Sequence, residues 1–188
     1  MKITKTNIEG LLIIEPDVYG DERGYFFEAY NKKRYEENGL NFDFVQDNFS
    51  RSVKGTIRGL HYQVGDYAQD KLCEVLYGKV LDVAVDIRFG SPTFGKHFAV
   101  ELSDENHLQF WLPKGFAHGF AVLSDFAIFH YKVTNYYSKK DERAIIYNDE
   151  TLAIDWRVEN PILSDKDLQA KKFNEIEKDF IFNGGEKI

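Results

Sequence analysis

The chain has 188 residues, with 24 Lys and Arg against 31 Asp and Glu, a net charge of −7, and 43% hydrophobic and 15% aromatic residues. That length and apolar content suit one domain spanning residues 1–188 with a substantial core, and the acidic balance argues against a nucleic-acid surface, which depends on Lys and Arg contacts to phosphates. The N-terminal MKITKTNIEG has no apolar signal region and no run approaches the roughly 20 apolar residues of a membrane span, so a cytoplasmic protein without membrane contact is expected.

In chain order, short apolar or alternating runs at 10–15, 25–30, 42–49, 56–63, 71–76, 80–88, 98–102, 109–112, 119–123, 127–134 and 144–147 read as strands. Gly20, Gly24, Gly55, Gly78, Gly90 and Gly95 punctuate them, the pattern of an all-β sandwich or barrel. The clearest strand is 81–88: Leu81, Val83, Val85 and Ile87 share one face, and Asp82, Ala84, Asp86 and Arg88 the other. Helix signals are few. A charged segment at 31–38 ends at Gly39, where a left-handed cap suits glycine. Ser164 and Asp167 resemble a capping box opening a helix through about residue 173. The only cysteine, Cys73, excludes an internal disulfide and a multi-thiolate metal site. Arg51, Lys54, Arg58 and Lys71 are close enough in sequence to serve one or two phosphates if the fold gathers them.

The strongest local motifs are RGLHYQ at 58–63, AQDKL at 68–72 and PKGFAHGF at 113–120. Pro113-x-Gly115-x-x-His118 matches the second half-motif of cupin barrels. The first half-motif asks for Gly-x5-His-x-His, and here Gly55 and His61 are followed by Gln63 where the second histidine would stand. The metal cage is therefore incomplete, since a first-row metal in such a barrel is typically held by several imidazoles and a carboxylate. His61 is left free to act as a base. Arg58 and His61 are three apart, which on a regular strand sends them to opposite faces; a β-bulge at Gly59 would bring both into one pocket.

Longer blocks narrow the reading further. GDERGYFFE at 20–28, FVQDN at 44–48, the motifs at 58–63 and 68–72, DVAVDIR at 82–88, SPTFG at 91–95, PKGFAHGF at 113–120, YKVTNYYS at 131–138 and LSDKD at 163–167 resemble, in order, the dTDP-4-dehydrorhamnose 3,5-epimerases. The similarity runs from about residue 3 to residue 173. It implies a cupin-type double-stranded β-helix, or jelly-roll, barrel with a few short peripheral helices. It also implies a homodimer, no cofactor or metal, and inversion of C3 and C5 of dTDP-4-dehydro-6-deoxy-α-D-glucose. Both carbons lie beside the C4 ketone, so each proton can leave to give an enolate and return from the opposite face.

By the same resemblance His61 is the base, a role suited to a side chain titrating near neutrality. Asp167 is its carboxylate partner, Lys71 the donor beside the enolate oxygen and Tyr131 the acid on the opposite face. Asp167 competes with a helix-capping reading, and one carboxylate is expected to serve only one role well. Arg23, Glu28, Gln46, Asp47, Asn48, Arg58, His118, Glu142 and Lys166 correspond to sugar-nucleotide contacts, and Tyr137 to an aromatic stacked on thymine, with Tyr136 one residue away. Two alternatives share these residues: an epimerase that inverts C3 alone, and a catalytically silent sugar-nucleotide-binding module.

Overall fold

The computed structural model describes residues 1–184, and strands dominate it. Two antiparallel sheets face each other. One has six strands in the order β1 (Lys2–Lys5), β2 (Leu12–Glu15), β10 (Gln109–Leu112), β7 (Lys71–Tyr77), β12 (Phe126–Val133) and β5 (Gln46–Val53). The other runs β13 (Glu142–Ala144), β6 (Ile57–Gln63), β11 (Phe116–Val122), β8 (Lys79–Asp86) and β9 (His97–Ser103). A separate hairpin joins β3 (Tyr19–Asp21) to β4 (Gly24–Phe26). This is the jelly-roll architecture expected of the chain, and among the described residues no helix is long and apolar enough to cross a membrane.

Three apolar layers hold the sheets. The space between them is filled by residues such as Leu11, Val75, Ala84, Phe110, Phe120 and Phe129. The outer face of the five-stranded sheet carries Leu60, Leu81, Val83, Val85 and Ile87 under Ile145, Leu152, Trp156 and Phe173. Leu12, Ile14, Leu72 and Trp111, from the six-stranded sheet, pack under Tyr35 and Leu40. The alternation of strand 81–88 is therefore real, but both of its faces are covered. Its apolar row packs under the C-terminal third of the chain, and Asp82 and Asp86 are fully buried on the other face.

Several elements differ from the sequence expectation. The run at 25–30 forms a strand only at Gly24–Phe26; beyond it Ala29 carbonyl accepts bonds from Tyr35 Oη at 3.2 Å and Gln109 Nε2 at 2.6 Å. The run at 42–49 enters the sheet only at Gln46, because Phe42 and Phe44 pack on Trp111 instead. Helix α1 (Lys32–Glu37) forms as expected, with Asn31 as N-cap and Gly39 at φ 82°. The second helix, α2 (Asp165–Leu168), is one turn rather than the expected helix through residue 173. The chain beyond it is drawn onto the 145–149 segment, where Lys171 carbonyl accepts from Ile146 N at 2.8 Å and Phe173 N donates to Asp149 Oδ2 at 2.8 Å. After a short 3₁₀ turn at Phe173–Glu175, the tail lays Ile181 beside Phe89.

Candidate active site

The β6–β11 ladder builds the site. His118 stands opposite His61 and Phe120 opposite Arg58, so three steps on β6 match two on β11. The extra residue is the bulge anticipated at Gly59, and both Arg58 and His61 line one cavity. Gly59 has no substitute there. Its φ is 132°, and an added Cβ would lie 2.5 Å from Gly119 Cα and 2.8 Å from His118 carbonyl oxygen.

The cavity measures about 200 Å³ and is lined by Ser50, Arg58, His61, Lys71, His118 and Tyr131, with Tyr137 and Glu142 also on its wall. That is below the roughly 300–1,000 Å³ of a pocket enclosing a drug-sized ligand, so it can take a sugar ring while a larger group stays outside. His61 and Tyr131 belong to opposite sheets and approach the space from two sides.

His61 Nε2 is 2.5 Å from Asp167 Oδ1. Burial alone would raise the Asp167 carboxyl, but the bonds from His61 and Ser164 together with nearby Lys166 hold it below the ordinary range. An ionised carboxylate only accepts, so Nε2 carries the proton and Nδ1 is left as the basic nitrogen. Ser164 caps α2 by accepting from Asp167 N at 3.2 Å, and its hydroxyl donates to Asp167 Oδ2 at 2.8 Å. The cap bond is therefore made by Ser164, while the two Asp167 oxygens divide between the Ser164 hydroxyl and His61 Nε2.

Lys71 Nζ reaches His61 carbonyl oxygen at 3.5 Å and lies 5.9 Å from the Tyr131 ring centre, placing the ammonium between the two. Burial pushes the Lys71 pKa down, against the opposing pull of Cys73, Asp82 and Glu142. Burial pushes the Tyr131 phenol up, with Cys73 and Glu142 adding to it. The phenol is therefore protonated at neutral pH and equipped to donate.

The other anticipated residues divide into three groups. Arg58, His118, Tyr137 and Glu142 lie on the cavity wall; Tyr137 Oη donates to Glu142 at 3.0 Å, and Lys166 is ion-paired with Glu142 on its far side. Gln46 and Asn48 share the alternate-residue face of β5 with Ser50 and Ser52, and Arg58 Nε donates to Ser52 at 3.0 Å. Asp47 does not join them. It occupies the opposite face of β5, bonded to Lys132 Nζ at 2.6 Å and His130 Nε2 at 3.3 Å. Arg23 and Glu28 lie outside the cavity altogether: Arg23 is 85% exposed on the β3–β4 hairpin and paired with Asp21, and Glu28 is paired with Arg34 at 2.9 Å.

Ser50 on the cavity wall and Asp82 behind it received no site role from the sequence. Asp82 accepts from His118 Nε2 at 2.7 Å across the β8–β11 pair, and burial outweighs this carboxylate to push the His118 pKa down. Ser50 turns a buried, unbonded hydroxyl toward the site. The alternation of Gln46, Asn48, Ser50 and Ser52 was the available signal for Ser50.

A sequence model of the family described as dTDP-4-dehydrorhamnose 3,5-epimerase matches residues 5–175. The chain belongs to the dTDP-4-dehydrorhamnose 3,5-epimerase family. The enzyme of that name from Shigella flexneri is 56% identical over 174 residues, 92% of this chain and 96% of its own. A crystal structure of dTDP-6-deoxy-D-glucose-3,5-epimerase from Legionella pneumophila in complex with dTDP-4-keto-L-rhamnose superposes with a TM-score of 0.93 at 55% identity, covering 97% of this chain and 99% of that one. More distant is a 3'-monoepimerase from Streptomyces bikiniensis in complex with dTDP-quinovose, with a TM-score of 0.85 and 32% identity over 90% of this chain and 86% of that one.

Proposed function

We propose that the chain inverts C3 and C5 of dTDP-4-dehydro-6-deoxy-α-D-glucose through enolate intermediates, giving dTDP-4-dehydro-β-L-rhamnose for dTDP-L-rhamnose synthesis in the cytoplasm. The observation that carries this is the placement of a carboxylate-backed imidazole and a protonated phenol on opposite sides of one cavity, with a half-buried lysine between them. His61 Nδ1 removes the proton beside the ketone, and Asp167 stabilises the resulting imidazolium. Lys71 meets the charge that develops on the C4 oxygen, a contribution of about 2.7–4 kcal/mol for one well-placed oxyanion donor. Tyr131 then returns a proton from the other face.

On the cavity wall, Arg58 suits the diphosphate and exposed Tyr137 the thymine ring. Glu142 and His118 share the cavity wall with them, and Lys166, Gln46 and Asn48 serve the approach to it. Asp47 has no side-chain part in this reading, because it serves His130 and Lys132. Arg23 and Glu28 enter it through a homodimer, in which the β3–β4 hairpin of one subunit completes the site of the other. Exposed Tyr19, Tyr25 and Phe26 on that hairpin, and Phe49 and Val53 on the edge strand β5, supply apolar surface for such contact.

Proton NMR of the product formed in heavy water tests the assignment. Deuterium at both C3 and C5 is expected. Deuterium at C3 alone would make the chain a 3-epimerase, and no deuterium at either centre would reduce it to a binding module.

A further inference from the structure

Behind the sugar cavity lies a second set of ligand atoms. Cys73 on β7, Asp82 on β8 and His118 on β11 present a thiol sulfur, a carboxylate oxygen and a ring nitrogen that all lie within 4.8 Å of one another. Cys73 and Asp82 are 0% exposed and His118 is 7% exposed. Asp82 Oδ2 is fully buried and has no hydrogen-bond partner. A buried carboxylate oxygen without a donor is costly, and it asks for a partner of opposite charge.

The arrangement is not that of a nucleophilic cysteine. In a thiol–imidazole–carboxylate relay the acid and the thiol use different ring nitrogens. Here Asp82 Oδ1 at 2.7 Å and Cys73 Sγ at 3.9 Å both approach Nε2 of His118. Burial, reinforced by Asp82, pushes the Cys73 thiol well above its usual range, so without a ligand it stays protonated.

A divalent cation fits the same atoms. Thiolate, carboxylate and imidazole form a donor set suited to zinc or cadmium, and two anions balance the two positive charges. With metal bonds of about 2.0–2.1 Å to nitrogen and oxygen and 2.3 Å to sulfur, neighbouring donors in a tetrahedral site stand about 3.3–3.6 Å apart. The observed 2.7 and 3.9 Å separations straddle that spacing, so small side-chain shifts suffice. On binding, the cation takes the place of the protons on Nε2 and Sγ, which leave to solvent. His118 also lines the sugar cavity, which gives the ion a route in.

We propose that Cys73, Asp82 and His118 form a binding site for one thiophilic divalent cation, and that its occupation inhibits the enzyme. The inhibitory half rests on the epimerase reading above: a cation here occupies the sugar cavity's inner wall and opposes the Lys71 ammonium. The binding half does not depend on it.

The test uses untagged, EDTA-treated full-length protein titrated with Cd²⁺ and followed by the ultraviolet thiolate-to-cadmium charge-transfer band. The band is expected to saturate at one Cd²⁺ per chain. Because Cys73 is the only thiol, its removal cannot by itself establish the site, so Asp82→Asn is the deciding variant and is expected to weaken binding at least 10-fold. In parallel, activity should survive EDTA, fall on adding one equivalent of Cd²⁺ or Zn²⁺ and return with chelator. Cys73→Ala, with Cys73→Ser as a second variant should the first fold poorly, should keep its basal activity and lose this inhibition. A band that appears only in large excess of Cd²⁺, or an Asp82→Asn protein that binds as tightly as wild type, overturns the site. Stoichiometric binding with undiminished activity, or inhibition that persists without Cys73, overturns the inhibitory role. A chain that binds Cd²⁺ as expected but shows no exchange in heavy water would instead overturn the epimerase reading.

Discussion

Tyr131 and His61 stand on opposite sheets, so proton removal and proton return can be separated by substitution. On the proposed roles, His61 with Lys71 beside it should suffice to form the enolate. Tyr131→Phe is therefore expected to leave solvent deuterium exchange at C3 or C5 measurable while inversion falls about 10²–10⁴-fold, the usual worth of a positioned acid. His61→Ala should abolish both. Measuring deuterium incorporation and epimer formation side by side checks this; loss of exchange in Tyr131→Phe as complete as in His61→Ala, in a protein that still binds nucleotide, would break the division of labour. At this scale the candidate base, lysine and acid were singled out by the resemblance of their sequence blocks to the epimerase family, and the structure gathers all three around one cavity. Asp82 was not singled out, since its bond to His118 crosses between two strands and no spacing along the chain announces it.

Among the elements, β6 has the least freedom. The bulge that turns Arg58 and His61 into one cavity depends on Gly59, whose missing side chain lets β6 and β11 approach closely. Gly59→Ala combines a backbone clash with a φ that L side chains rarely adopt, and is expected to cost about 3 kcal/mol, read as a lower urea midpoint. The parity conflict between Arg58 and His61 was visible in the sequence and pointed to this glycine. The length of α2 was not, because the helix is cut short by bonds to a segment some 25 residues earlier. Strand β8 carries a second constraint. Burial would raise the Asp86 carboxyl, but Arg88, Ser91 and Thr93 hold it below its ordinary range. A depressed folded pKa means stability that is present above the unfolded value near 3.9 and lost as pH falls through the folded one. Asp86→Asn should therefore cost about 3 kcal/mol at pH 7, as expected when one partner of a buried pair is removed. In urea titrations its deficit should shrink below about pH 4; a deficit independent of pH would show that packing, not charge, is responsible.

For the whole molecule, the positions of Arg23 and Glu28 decide how a complete site is assembled. The family resemblance assigns their sequence block to a sugar-nucleotide site, yet both residues lie outside the cavity of their own chain, and nothing in one chain's sequence distinguishes a contact within a subunit from one across a two-fold axis. The β3–β4 hairpin packs as its own two-stranded unit, and Arg23 lines no part of the cavity that holds His61. If the hairpin serves the partner, each site takes His61 from one chain and Arg23 from the other. Two inactive homodimers, His61→Ala and Arg23→Ala, then complement each other when unfolded together and refolded as a mixture. In a mixed dimer one site inherits both defects and the other inherits none. With random pairing about half of the dimers are mixed, so about a quarter of wild-type activity is expected, provided the subunits pair without preference. If each chain instead supplies both residues to its own site, every site in the mixture carries one defect and activity stays at the level of the two parents. Sedimentation of the same samples checks that dimers re-form, so that failure to complement is read as a site built within one chain and not as failure to assemble.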